Sequence, residues 1–160
     1  MRRFPLSTLT HGAVFLAGIA VGIYLLPILT AEPPPPESAY AELGEAQPMS
    51  GRFKRDLRGS DFLHWGEGEI MVTAKRIAHR GKLAPGPDYK LYLAPQFVED
   101  AEGFLAIKDK SLNIGDVKGF SGFILKVPPE VDVRAYTSVV IWCERFGQFI
   151  SAAQYRPAGG

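Results

Sequence analysis

The chain of 160 residues contains a single cysteine, Cys143. One thiol cannot close a bridge within the chain, so a disulfide framework is excluded. The patterns CxxC, CxxCH and HExxH do not occur. Dithiol chemistry, covalent attachment of c-type haem and the common zinc-protease motif therefore have no support. Charge of one sign is also missing. The 18 Lys and Arg residues face 17 Asp and Glu, and once Arg2 and Arg3 are set aside the acids outnumber the bases by one. There is no basic field for a phosphate backbone, so nucleic-acid binding lacks its electrostatic footprint. No internal repeat is visible. No long segment has helical periodicity after the first 31 residues, except for a short turn suggested at "APQFVEDAEG". Ser60 and Ser138 have no nucleophile context, and "SVVIW" is not a nucleophile elbow. Asp61, Glu67 and Asp88 have no spacing that argues for paired carboxylates.

What is present begins with an uncharged run, "GAVFLAGIAVGIYLLPILTA", from Gly12 to Ala31. At about 1.5 Å per residue it spans roughly 30 Å as a helix, the thickness of a bilayer core. Arg2 and Arg3 precede it, which by the positive-inside rule holds the N-terminus in the cytoplasm and sends the rest across. A cleaved signal peptide is the rival reading. Its apolar region is normally about 7–15 residues and ends in small residues. This run is longer, and Leu29 is bulky for a cleavage site. Residues 1–31 are read as an uncleaved signal-anchor, placing the domain on the extracytoplasmic or periplasmic side of the cell membrane. Pro27 is tolerable in such a helix. Gly18 and Gly22 have small-xxx-small spacing, through which two copies can pair as a homodimer.

Residues 32–48 open with four prolines, Pro33 to Pro36. That run favours polyproline II and a semi-rigid spacer, so the segment is read as a stalk holding the domain off the membrane. Residues 49–160 are read as one domain, large enough for a single core. "GEIMVTAKRI", "YKLYLAP" and "GFSGFILKVPP" alternate with period two. Ile70, Val72 and Ala74 share one side, Tyr89, Leu91 and Leu93 another, and Phe123, Leu125 and Val127 a third. "SVVIWC" is an almost continuous apolar run, as in a strand covered on both faces. "GQFISAAQY" reads as a last strand. Gly and Pro mark "HRGKLAPGPD", "EDAEG", "NIGDVKG" and "VPPEVD" as intervals. In Gly86-Pro87-Asp88 the aspartate is expected to bond nearby backbone amides. The expectation is an all-β fold, an antiparallel sandwich or barrel.

Two residues are candidates for chemistry. Period-two counting puts Cys143 on the face of Val139 and Ile141. If that face is the core, the thiol is a small buried hydrophobe. If the strand ends there, the sulfur can exchange electrons or ligate iron. Glu144 disfavours a thiolate and Arg145 favours one, so neighbouring charge leaves both readings open. His64, in "FLHWGEGEI", is either an imidazole ligand or a hydrogen-bonded structural residue. His79, among Arg76, Arg80 and Lys82, reads as part of a solvated basic loop.

Taken together, "FLHWGEGEIMV", "GPDYKLYLAP", "LNIGDVKGFSGFILKVP" and "YTSVVIWCERFGQFISAAQ" resemble the DM-thirteen domain, an electron-transfer module that accompanies DOMON domains in Skeletor-type proteins. The resemblance covers Arg52 to Tyr155. His64 and Gly68 match its opening element, Asp88 its middle and Cys143 the thiol that marks the family. It implies an all-β, extracytoplasmic domain with a redox role for Cys143, either as a bare thiol or holding a group such as haem, with His64 beside it. A redox partner or another envelope protein is the partner implied. No DOMON domain accompanies the module in these 160 residues. The competing reading is a non-catalytic envelope interaction domain, in which Cys143 is core packing and Trp65, Tyr92 and Tyr155 are exposed for binding a protein or glycan.

Overall fold

A computed structural model of the chain describes residues 6–157. Arg2 and Arg3, on which the expected orientation rests, lie outside that range. The first element is helix α1 (Leu6–Leu29), which has no charged residue and is long and apolar enough to cross a membrane. Helix α2 (Glu37–Glu45) follows the prolines. Then come strands β1 (Met49–Phe53), β2 (Gly66–Val72), β3 (Arg76–Leu83) and β4 (Tyr89–Ala94), a short helix α3 (Ala101–Leu105), and strands β5 (Leu112–Val117), β6 (Phe123–Lys126), β7 (Ser138–Cys143) and β8 (Gln148–Gln154).

The strands form two antiparallel four-stranded sheets, ordered β1-β2-β3-β6 and β5-β4-β7-β8. They pack face to face as a sandwich around one apolar core. Alternation assigns the sides. Leu91 and Leu93 of β4, Val139 and Ile141 of β7, and Ile70 and Val72 of β2 all enter that core. The opposite phase of the second sheet, Tyr92, Val140 and Trp142, enters a second cluster closed by Phe104 and Ile107 from the α3 region. Strand β7 is thus buried at every position, as its unbroken apolar run requires. The outer strands of the two sheets approach each other at both margins, β1 against β8 and β5 against β6.

Three departures from the sequence reading have clear causes. The run "GEIMVTAKRI" is not one strand. It turns at Thr73–Lys75, where the Thr73 hydroxyl donates to the Arg76 carbonyl and accepts from the Arg76 amide, each at 2.9 Å, and the chain returns as β3. The interval "HRGKL" is the body of that returning strand. Its charges Arg80 and Lys82 point away from the core, and Gly81 and Gly68 let β3 and β2 approach closely. Gly68 has φ +120° and lies where a Cβ would sit 2.4 Å from the Arg80 carbonyl oxygen. "NIGDV" is likewise a strand, β5, at a sheet margin with a bulge opposite Leu91 and Tyr92.

His79 is not solvated. It is fully buried in β3 between the rings of Phe53 and Phe123, with centroids 5.1 and 5.2 Å away. Its Nε2–H donates to the Glu67 carbonyl at 2.9 Å. Burial pushes its pKa down to about 4, partly opposed by that hydrogen bond.

The segment assigned to a spacer also does structural work. In α2, Tyr40 and Leu43 are buried against Met71 and Ala78 on the outer face of the first sheet. The Tyr40 hydroxyl donates to the His79 carbonyl at 3.0 Å. Before α2, the Glu32 amide donates to the Lys118 carbonyl at 3.1 Å, so the chain meets the domain within three residues of the end of α1. The prolines span an already docked segment rather than hold the domain at a distance.

Two measurements follow from this packing. Leu43→Ala should destabilise the full chain in detergent micelles by about 2–5 kcal/mol in urea unfolding, as truncation of a core leucine does. A residue of a free spacer would change nothing. Because the folded pKa of His79 lies below its unfolded value of about 6.5, its neutral burial supports the fold above pH 6.5. That support drains away as pH falls towards 4, by about 1.4 kcal/mol per pH unit. His79→Gln should flatten the slope of stability against pH across this window.

Candidate functional site

Cys143 ends β7, on the core-facing phase with Val139 and Ile141, and is 2% exposed. Its antiparallel partners are Tyr89 in β4 and Gln148 in β8. The next residue, Glu144, turns to the other side of the sheet. Its carboxylate accepts from the Tyr92 hydroxyl and, at 2.8 Å, from Lys108 Nζ. Burial raises the Glu144 pKa, but the bonds from Lys108 and Tyr92 together outweigh that and hold it below the usual range. The nearby acid is therefore neutralised on the opposite face. What governs the thiol is burial, which pushes its pKa above the ordinary 9.0. The backbone N–H groups of Phe146, Asp88 and Arg145 oppose the rise, while the Asp88 carboxylate adds to it. The sulfur is a protonated thiol at neutral pH.

The thiol is nevertheless not sealed. It lies on the wall of a cavity of about 160 Å³ beyond the end of β7. Gln148 and Ile150 of β8 and Phe146 of the connecting turn form one side. The loop Pro85–Gly86–Pro87 and Tyr89 form another. Gly86 lies flat on the Tyr89 ring, where a Cβ would come within 2.4 Å of the ring and its hydroxyl. Burial, and then the neighbouring Cys143, raise the Tyr89 pKa far above that of a free phenol. Leu63 and His64 complete the domain side. The last side comes from α1, through Ile23, Tyr24 and Pro27. Pro27 is the buried residue of that helix.

The two sequence candidates thus share one cavity wall, although no hydrogen bond joins them. His64 is held by an aspartate. Asp61 Oδ1 accepts the backbone amides of Leu63 and His64 at 2.7 and 2.8 Å, and Oδ2 meets His64 Nδ1 at 2.8 Å. The side-chain bond to His64 lowers the Asp61 pKa. An ionised carboxylate only accepts, so Nδ1 carries the hydrogen and Nε2 of the neutral ring keeps its lone pair. Among the described residues, the Asp88 side chain accepts from no backbone amide. It pairs with Lys90 at 3.1 Å. Two of the aromatics expected to be exposed are in fact buried, Tyr92 at 7% and Tyr155 at 6%, and the guanidinium of Arg55 covers Trp65 at 3.4 Å. Tyr89 and Gln148 were legible only as strand residues, and nothing in the sequence signals that α1 contributes a wall.

The family model for the electron-transfer domain DM13 matches residues 57–155. The chain belongs to the DM13 electron-transfer family. The match takes in every domain residue of the cavity, from Leu63 to Ile150. No curated protein and no solved structure matches the chain.

A haem can be tested against this DM13 site by size and donor chemistry. A dry cavity of about 150 Å³ holds a benzene ring, and sites for drug-sized molecules begin at about 300 Å³. At about 160 Å³ the cavity has room for one six-membered ring, and it opens to its surroundings. The cavity as shaped does not enclose a haem, which is larger than the molecules that sites of about 300 Å³ and above take.

A buried, protonated thiol of this kind should be slow towards electrophiles. In the native full chain at pH 7, maleimide labelling of Cys143 should run well below its rate in denaturant, since burial both covers the sulfur and raises its pKa. The native rate should climb with pH beyond 9. Rapid labelling that saturates near pH 8 would mean an activated thiolate instead.

Proposed function

We propose that the chain is a single-pass membrane protein with its N-terminus in the cytoplasm, presenting a DM13 redox module on the extracytoplasmic side. The thiol of Cys143 is its reacting group. The observation that carries this reading is that the sulfur lies on a cavity wall shared with His64. Packing alone calls for no opening at the end of β7. The helix α1 and the preceding Arg2 and Arg3 support the topology. In an oxidising compartment a thiol must be shielded, and 2% exposure shields it from all but what fits the cavity.

The raised pKa selects among thiol reactions. Disulfide exchange needs a thiolate and is disfavoured here. Loss of one electron and one proton from the S–H bond needs none. The electron goes to a one-electron acceptor in the cavity, and the proton to a base on its wall. Nε2 of His64, kept free by the bond from Nδ1 to Asp61, is the lining atom suited to take it. The reverse step restores the thiol. Haem has no place in this scheme, because the cavity does not fit it.

A packing role for Cys143 is the second reading, favoured by its membership of the main core. Two variants separate the readings. With the full chain in detergent micelles, Cys143→Ala should cost about 1–3 kcal/mol of stability. It should also abolish reduction of a one-electron oxidant in stopped flow. His64→Gln should slow that reduction and alter its pH profile while leaving the melting temperature near that of the parent. Oxidant reduction by Cys143→Ala at the parent rate would make the cysteine a packing residue.

A further inference from the structure

We propose that the cavity beside Cys143 is a binding site for the ring of a membrane-soluble quinone, whose apolar tail leaves along α1 into the bilayer. The choice of a quinone among ring-shaped ligands rests on the redox reading above. The site itself rests on geometry.

Three observations converge. The first is size, since about 160 Å³ takes one six-membered ring. The second is the lining. Ile23, Pro27, Leu63, Phe146 and Ile150 are apolar, and a few polar groups stand among them. Gln148 and Tyr89 have an amide N–H₂ and an O–H to donate, which is what the two carbonyl oxygens of a quinone accept. The third is access. Helix α1 supplies Ile23, Tyr24 and Pro27, from its last two turns, to the cavity wall. If α1 spans the bilayer, these turns lie at its outer boundary, and the cavity opens at the level where a lipid-soluble ligand arrives. Tyr24 suits that depth, as aromatic rings with a polar tip do.

The rim agrees with this placement. Phe62 is 85% exposed, and Leu63 and Phe146 are 43% and 57% exposed. Large apolar side chains so exposed in the loops beside the cavity are costly in water and suited to a lipid boundary. A phospholipid acyl chain would share the apolar contacts but not the polar ones, because it has nothing to accept from Gln148 or Tyr89.

The test titrates the full chain in detergent micelles with decylubiquinone. Binding is read by tryptophan quenching and by protection of Cys143 from a maleimide. The expected result is saturable binding, with labelling slowed about tenfold at saturation, and protection by decanol at least about tenfold weaker than by the quinone. Gln148→Trp, which fills the cavity, should raise the Kd read by protection at least about tenfold with the melting temperature kept. Should that variant melt early, Tyr24→Trp blocks the same space from the helix side. Decanol protecting as well as the quinone would overturn the proposal in favour of an acyl-chain site. So would folded blocking variants that bind as the parent does. Absence of saturable binding in a chain whose Cys143 still reduces the one-electron oxidant overturns the quinone site and leaves the redox reading standing. Saturable binding by a chain that fails the oxidant test supports the site and removes the redox reading.

Discussion

The burial of β7 on both faces is the constraint on which the rest depends. A strand buried at every position, with apolar side chains from Val139 to Cys143, cannot face water. It must be hydrogen-bonded on both sides, and here β4 and β8 flank it. It must also be covered twice. Val139, Ile141 and Cys143 call for a second sheet, and Val140 and Trp142 call for the cover that Phe104 and Ile107 provide. The two-sheet architecture and the α3 lid are both consequences of that one run.

The same alternation sorts the chemistry. Consecutive residues of an extended chain point to opposite sides. Cys143 and Glu144 are adjacent in sequence, yet the acid is spent on Lys108 and Tyr92 on one side while the thiol meets the cavity on the other. Reading charges along the sequence could not settle the state of the thiol, because the adjacent charge is not its neighbour in the sense that matters. Burial and backbone amides are.

Legibility followed the strength of the period-two signal. β4, β7 and β8, and the inward phase of β2 and β6, could be read directly because their apolar residues alternate or run unbroken. β3 and β5 could not. Arg76, Arg80 and Lys82 make β3 look solvated, although its inward positions Ile77, His79 and Gly81 are where the packing happens, and Gly115 interrupts β5. His79 misleads for a related reason: its sequence neighbours are charged, but its spatial neighbours are Phe53 and Phe123. Helix α2 is short, and of its residues only Tyr40 and Leu43 are buried. Of the candidate site, Cys143 and His64 were found by residue type and family motif. Their common cavity was not, since it depends on how the ends of four separate segments meet.

The approach of β1 to β8 and of β5 to β6 has a consequence for life at a crowded surface. Unpaired strand margins are templates for adding further strands. A chain tethered by a helix such as α1 moves in two dimensions, where its copies meet far more often than they would in free solution. Margins that already face one another within the same molecule offer such an encounter little to extend.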